Sequence, residues 1–91
     1  SPDMKSTEFH ADYVHRRCLV ADDEPNMASA ITQVLQKRMG LACVAVHSGE
    51  AALAALAEQP FDVLITDMQM PGLHGIPLVR EVCTKYPNLP V

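Results

Sequence analysis

The sequence predicts an α/β fold, a doubly wound parallel sheet with helices on both faces. Two observations carry that expectation. Short apolar runs of strand length alternate with stretches of helical periodicity, as βαβ units do. The runs are also apolar throughout, as strands buried on both faces are. Right-handed crossovers then place the intervening helices on both sides of the sheet.

The elements can be justified in order. Residues 1–15 (SPDMKSTEFHADYVH) are polar and aperiodic and read as a disordered tail, with Ser1-Pro2 a candidate cloning remnant. His10 and His15 in that segment have no partner at ligand spacing. Order is expected from Arg16, and Cys18-Leu19-Val20-Ala21 forms the first strand. It stops at Asp22-Asp23-Glu24, and Pro25 fits the first helical position, where a missing N–H costs nothing. Met27, Ile31, Val34, Leu35 and Met39 follow at helical spacing and predict the buried stripe. Lys37 and Arg38 suit the negative end of the helix dipole, and Gly40 supplies a left-handed exit.

Leu41 to Val46 is the second strand. Ser48 can cap a helix from Gly49 to about Glu58, with Leu53 and Leu56 inward and Pro60 as the stop. Val63-Leu64-Ile65 is the most β-like stretch, ending at Thr66-Asp67. A loop with Pro71, Gly72 and Gly75 leads to a third helix around Pro77 to Tyr86, with Leu78, Val79, Val82 and Tyr86 inward. Leu89-Pro90-Val91 looks like the opening of a fourth strand.

The totals narrow the function. The chain has 91 residues, 48% hydrophobic and 20% charged, with a formal charge of −4. That length suits one small domain. The acidic balance speaks against direct nucleic-acid binding, which needs a basic face to meet phosphates. No apolar run approaches the roughly 18 residues that span a bilayer, so no membrane role is expected and a cytoplasmic location is the default. Cys18, Cys43 and Cys83 are odd in number, too widely spaced for metal knuckles, and expected to be buried, inert thiols.

In open parallel sheets, function collects beyond the C-terminal ends of the strands. Two places qualify: Asp22-Asp23-Glu24 after the first strand and Asp67 after the third. If those strands are neighbours, Asp22, Asp23 and Asp67 converge, and uncompensated like charges at that range repel. A hard divalent cation resolves the conflict, and Mg²⁺ prefers oxygen ligands of this kind together with phosphate oxygens. Asp67, alone at the end of a buried strand, is the candidate nucleophile for a phosphoryl group, with Asp22 and Asp23 holding the metal. The plainer alternative is that these residues only form turns and cap a helix.

The same residues resemble the receiver domain of two-component response regulators. The matching pieces are LVADDEP (Leu19 to Pro25), GEAAL (Gly49 to Leu53) and LITDMQMPGLHG (Leu64 to Gly75), in the family's order and spacing. The resemblance covers Arg16 to Val91 and implies a flavodoxin-like strand order of 2-1-3-4. It implies that Asp67 accepts a phosphoryl group from a phosphohistidine on a sensor histidine kinase. Asp23 would ligate Mg²⁺ directly, Asp22 usually through water, and the Gln69 backbone carbonyl would be a further ligand. Pro71 and Gly72 would shape that loop, and Met70 would pack. His74 and His47 are read as solvent-exposed loop residues.

A receiver has five strand–helix units, so the resemblance leaves the last strand and two helices missing, and residues 16–91 form a truncated receiver domain. The family's switch Ser/Thr and its Lys would lie beyond Val91, and Lys85, in the third helix, cannot stand in. Without the Lys the site is expected to be more repulsive and more dependent on Mg²⁺, and signalling by the usual route is not expected of this chain alone. Apolar surface exposed on both faces would make a monomer marginal, and homo-oligomerisation could cover it.

Three competing functions are weaker. A pseudo-receiver, never phosphorylated and serving as an interaction or dimerisation module, would not need the acidic triad, although the missing switch residues favour it. A haloacid-dehalogenase-type phosphatase usually wants an acid/base Asp where Gln69 stands. A nucleotide or flavin domain would need a glycine-rich loop after the first strand, and Asp22-Asp23-Glu24 would repel an anionic cofactor. The expected role is therefore a signalling phosphoacceptor and not a turnover enzyme.

Overall fold

The computed structural model describes residues 16–67, 72 and 75–91. Six elements alternate: β1 (Arg17–Ala21), α1 (Pro25–Met39), β2 (Ala42–Val46), α2 (Gly49–Glu58), β3 (Val63–Thr66) and α3 (Gly75–Lys85). The strands form one parallel sheet in the order β2-β1-β3. Cys18 is in register with Cys43 on one side and with Val63 on the other. β1 is the central strand, and Cys18 to Ala21 are all buried.

The two-residue alternation of a strand sends neighbouring side chains to opposite faces. Leu19, Ala21 and Leu64 join Ala52 and Leu56 of α2 and Leu78 and Val82 of α3 in one apolar cluster. Cys18 and Val20 pack with Ala28 on the other face, and Ile31, Leu35, Cys43, Val63 and Ile65 close round them. One helix therefore covers one face and two cover the other, as expected for a doubly wound sheet. Beyond β3, the Leu64 N–H donates to the Pro90 carbonyl at 2.9 Å. The segment foreseen as a fourth strand thus lies beside β3, giving the spatial order 2-1-3-4, although Leu89 to Val91 make no regular ladder.

The helix ends follow their signals. Pro25 opens α1, and Gly40 closes it at φ 66°, its N–H donating to the carbonyls of Gln36 and Leu35. The Ser48 side chain accepts from the Ala51 N–H at 3.0 Å and caps α2. The third helix begins at Gly75, two residues earlier than expected.

Two burial expectations are corrected. In α1 only Ala28 is fully buried, with Ile31 and Leu35 half-buried against the sheet, while Met27, Val34 and Met39 are exposed. The helix meets β1 along the line of Ala28, Ile31 and Leu35, and Met27 and Val34 lie roughly a quarter-turn round from it. Cys83 is exposed on α3 and Cys43 only half-buried, so Cys18 alone is the buried thiol foreseen. Val82, one residue before Cys83, takes the inward position, which turns Cys83 outward. Among the described residues, no helix is long and apolar enough to cross a membrane.

Candidate functional site

The site is assembled by one peptide unit at the head of the central strand. The Ala21 carbonyl accepts from the Asp67 N–H at 2.9 Å, and the Asp22 N–H donates to the Val46 carbonyl at 3.0 Å. The Ala21–Asp22 link therefore ties the ends of β3 and β2 to the end of β1. Those bonds bring together the three carboxylates that the sequence marked. Asp22, Asp23 and Asp67 each present a carboxylate oxygen, and these oxygens lie within 4.8 Å of one another. Asp22 is buried, at 7% exposure, while Asp23 and Asp67 are half-exposed.

Asp22 is held at several points. One of its oxygens, Oδ1, accepts from the Glu24 N–H at 2.9 Å, an Asx turn that fixes the χ angles of the side chain. The N-cap of α1 is Glu24, whose own side chain makes no capping bond. Behind Asp67, the Thr66 hydroxyl donates to the Asp67 carbonyl at 3.0 Å. A cleft of about 320 Å³ opens over these groups, lined on its apolar side by Met27, Ile31 and Ile65. A larger cleft of about 560 Å³ lies at the opposite end of the sheet, among Leu56, Phe61, Tyr86 and Leu89. It gathers no acidic cluster and is remote from this chemistry.

The donor set suits a hard divalent cation. Three carboxylates with oxygens this close form an anionic pocket of hard oxygen ligands, which is what Mg²⁺ selects, and a soft or nitrogen-preferring metal would find no thiolate or imidazole among them. Of the other residues expected at the site, Gln69, Met70, Pro71 and His74 lie outside the described residues. Gly72 is at φ 70°, a left-handed conformation that only glycine adopts without strain. A Cβ there would also come within 2.8 Å of Glu50 Oε2, so Glu50 at the start of α2 packs close against Gly72. Lys85 ends α3 and pairs with Glu81 at 3.1 Å, as its placement in that helix implied.

His47 was expected to be a simple exposed residue. It is exposed, yet its Nδ1 lies 3.1 Å from the Asp22 carbonyl. No sequence signal marks that contact, because it joins the end of one strand to the end of its neighbour. The only available hint was that His47 and Asp22 each follow a strand that the fold class makes adjacent.

Comparison with known proteins agrees with this arrangement. The family model described as the response regulator receiver domain matches residues 18–91. The DNA-binding transcriptional regulator NtrC of Salmonella typhimurium is 39% identical over 75 residues, covering 79% of this chain and 15% of NtrC. The virulence sensor protein BvgS of Bordetella bronchiseptica is 45% identical over 69 residues, covering 76% of this chain and 6% of BvgS. The chain thus spans a small part of the length of these relatives. Among solved structures, the response regulator protein TrrA of Thermotoga maritima, in complex with Mg²⁺–BeF, superposes with a TM-score of 0.75 at 33% identity, over 79% of this chain and 62% of that one. With the family model matching most of its length, and with the parallel sheet and acidic cluster in place, this chain belongs to the response regulator receiver domain family.

Proposed function

We propose that this domain is a phosphoacceptor, taking a phosphoryl group on Asp67 from a phosphohistidine of a sensor histidine kinase in a Mg²⁺-dependent reaction. The observation that carries the proposal is the convergence of Asp22, Asp23 and Asp67 within 4.8 Å at the head of the sheet. A carboxylate oxygen of Asp67 attacks phosphorus, an acyl phosphate bond forms, and the P–N bond breaks with its electron pair leaving on the kinase imidazole. Asp22, Asp23 and Asp67 would hold the metal, and the resemblance adds the Gln69 backbone carbonyl to that set. Bound Mg²⁺ supplies charge neutralisation for the phosphoryl oxygens. The chain's own contribution is positional: the Ala21 carbonyl fixes the Asp67 backbone, and the Glu24 N–H fixes the Asp22 side chain. The role is regulatory and lies in the cytoplasm, where the kinase's phosphohistidine is presented.

Support for an acyl-phosphate acceptor comes from the relative TrrA, whose complex carries Mg²⁺ and BeF. The test is an intact mass spectrum after incubation with Mg²⁺ and a small acyl phosphate, alongside Asp67→Asn. The expected result is a single phosphoryl adduct that disappears in the variant and when the metal is chelated. A chain that binds no Mg²⁺ and takes no adduct would instead be a non-phosphorylated interaction module.

A further inference from the structure

The contact between His47 and Asp22 has no part in the ligand set, yet it acts on the peptide between two of that set's members. A carbonyl oxygen can only accept, so at 3.1 Å the His47 Nδ1 carries the proton and donates it to the Asp22 carbonyl. That carbonyl belongs to the Asp22–Asp23 peptide, and its orientation decides where the Asp23 side chain departs from the chain. The preceding peptide is already pinned by Val46 and Asp67, and the Asp22 carboxylate by the Glu24 N–H. Among the described residues, the Asp22 carbonyl shows no hydrogen bond besides the one from His47.

We infer that His47 is a positioning residue for the metal site, fixing the Asp22–Asp23 peptide plane from the end of β2 and so the mutual placement of the two metal-holding carboxylates. This rests on the Mg²⁺ reading of the acidic cluster. The device is a hydrogen-bond donor at one place and not a charge, so a neutral amide at the same reach serves equally. Because His47 is exposed and packs no core, removing it leaves the fold intact while the turn gains freedom. The site then spends ordering entropy on binding the ion, which weakens affinity without abolishing it.

The experiment is calorimetric titration of the full 91-residue chain with Mg²⁺, for the wild type, His47→Phe, His47→Asn and Asp67→Asn, each checked by far-UV circular dichroism. Losing one such bond is expected to raise the Mg²⁺ Kd of His47→Phe about fivefold. His47→Asn, whose amide can donate from the place of Nδ1, is expected to stay within about twofold of the wild type on the same scale. If the wild type binds Mg²⁺ and Asp67→Asn weakens it, but His47→Phe matches the wild type, the positioning role is overturned and the metal reading stands. Equal weakening in the Phe and Asn variants overturns it too, since the ring and not the donor would matter. So does loss of the helical signal in His47→Phe, which would make the contact a fold requirement. If the wild type binds no Mg²⁺, the metal reading itself falls and takes this role with it.

Discussion

The two ends of β1 handle charge in opposite ways. At its foot, the Arg17 side chain is matched by unlike neighbours. Its Nη2 donates to Gln59 Oε1, its guanidinium lies 5.6 Å from the Phe61 ring centre, and its backbone N–H donates to Asp62 Oδ2 at 2.7 Å. At its head, Asp22, Asp23 and Asp67 are brought within 4.8 Å of each other with the same sign. The foot is a structural clasp, since the fold supplies counterparts for most of its polar groups. The head instead gathers three like charges at one edge of the sheet. It is this contrast, more than burial, that singles out the head for the proposed metal.

The difference can be sharpened by experiment, beginning with the strand that joins the two ends. Burial pushes the Cys18 thiol up from 9.0 to about 12, with the neighbouring Cys43 adding to the rise. The folded state therefore keeps a proton that the unfolded chain gives up above its ordinary value. Stability from this group is fully present below pH 9 and lost as pH rises toward 12, because the unfolded state binds fewer protons there. Denaturant midpoints across that window should fall steeply, both ends of the strand melting together, and Cys18→Ala should flatten the fall. A wild-type profile no steeper than the variant's would remove the buried thiol from the account.

At the head, Gly72→Ala forces a side chain onto a left-handed residue and is expected to cost about 1–2 kcal/mol in a denaturant titration. It should also weaken Mg²⁺ binding, since it pushes Glu50 away from Gly72, five residues beyond Asp67. At the foot, Arg17→Ala removes one hydrogen bond and one cation–π contact and is expected to cost about 1 kcal/mol. The loss is small because Arg17 Nε is buried with no partner among the described residues, and deleting it relieves that cost. Mg²⁺ binding should be unchanged. Were Arg17→Ala to weaken the metal as much as Gly72→Ala does, the two ends would be one coupled system and the contrast would fail.

Much of this architecture is legible in the sequence. Apolar runs such as Cys18 to Ala21 define strands because burial on both faces admits nothing polar, and Pro25, Gly40 and Ser48 mark helix ends by local chemistry alone. The acidic triad was legible because strand ends in a parallel sheet share one edge, so topology converts residues 45 positions apart in sequence (67 − 22) into neighbours. The misreadings share a cause. Met27 and Val34 are apolar at helical spacing, but which part of an apolar stripe touches the sheet depends on how closely the helix approaches, and small Ala28 sets that approach. The apolar neighbours of Cys83 along the chain suggest burial, whereas in a helix the relevant neighbours are three and four residues away. The His47 bond depends on side-chain reach between strand ends, which no linear pattern encodes.

The register of the sheet also sets an order in time. The strand with the most deeply buried side chains is made before either of its partners, since Cys18 pairs with Cys43 and Val63, 25 and 45 residues further on. At ribosomal rates of about 5–20 residues per second, β1 waits on the order of 2–9 seconds for its second neighbour. For the first part of that interval, until β2 and α2 are made, α1 is the element that follows β1 and can shield it. The early helix then acts as a temporary cover for Cys18 and Val20, and the amphipathic stripe is useful to the nascent chain before the sheet exists.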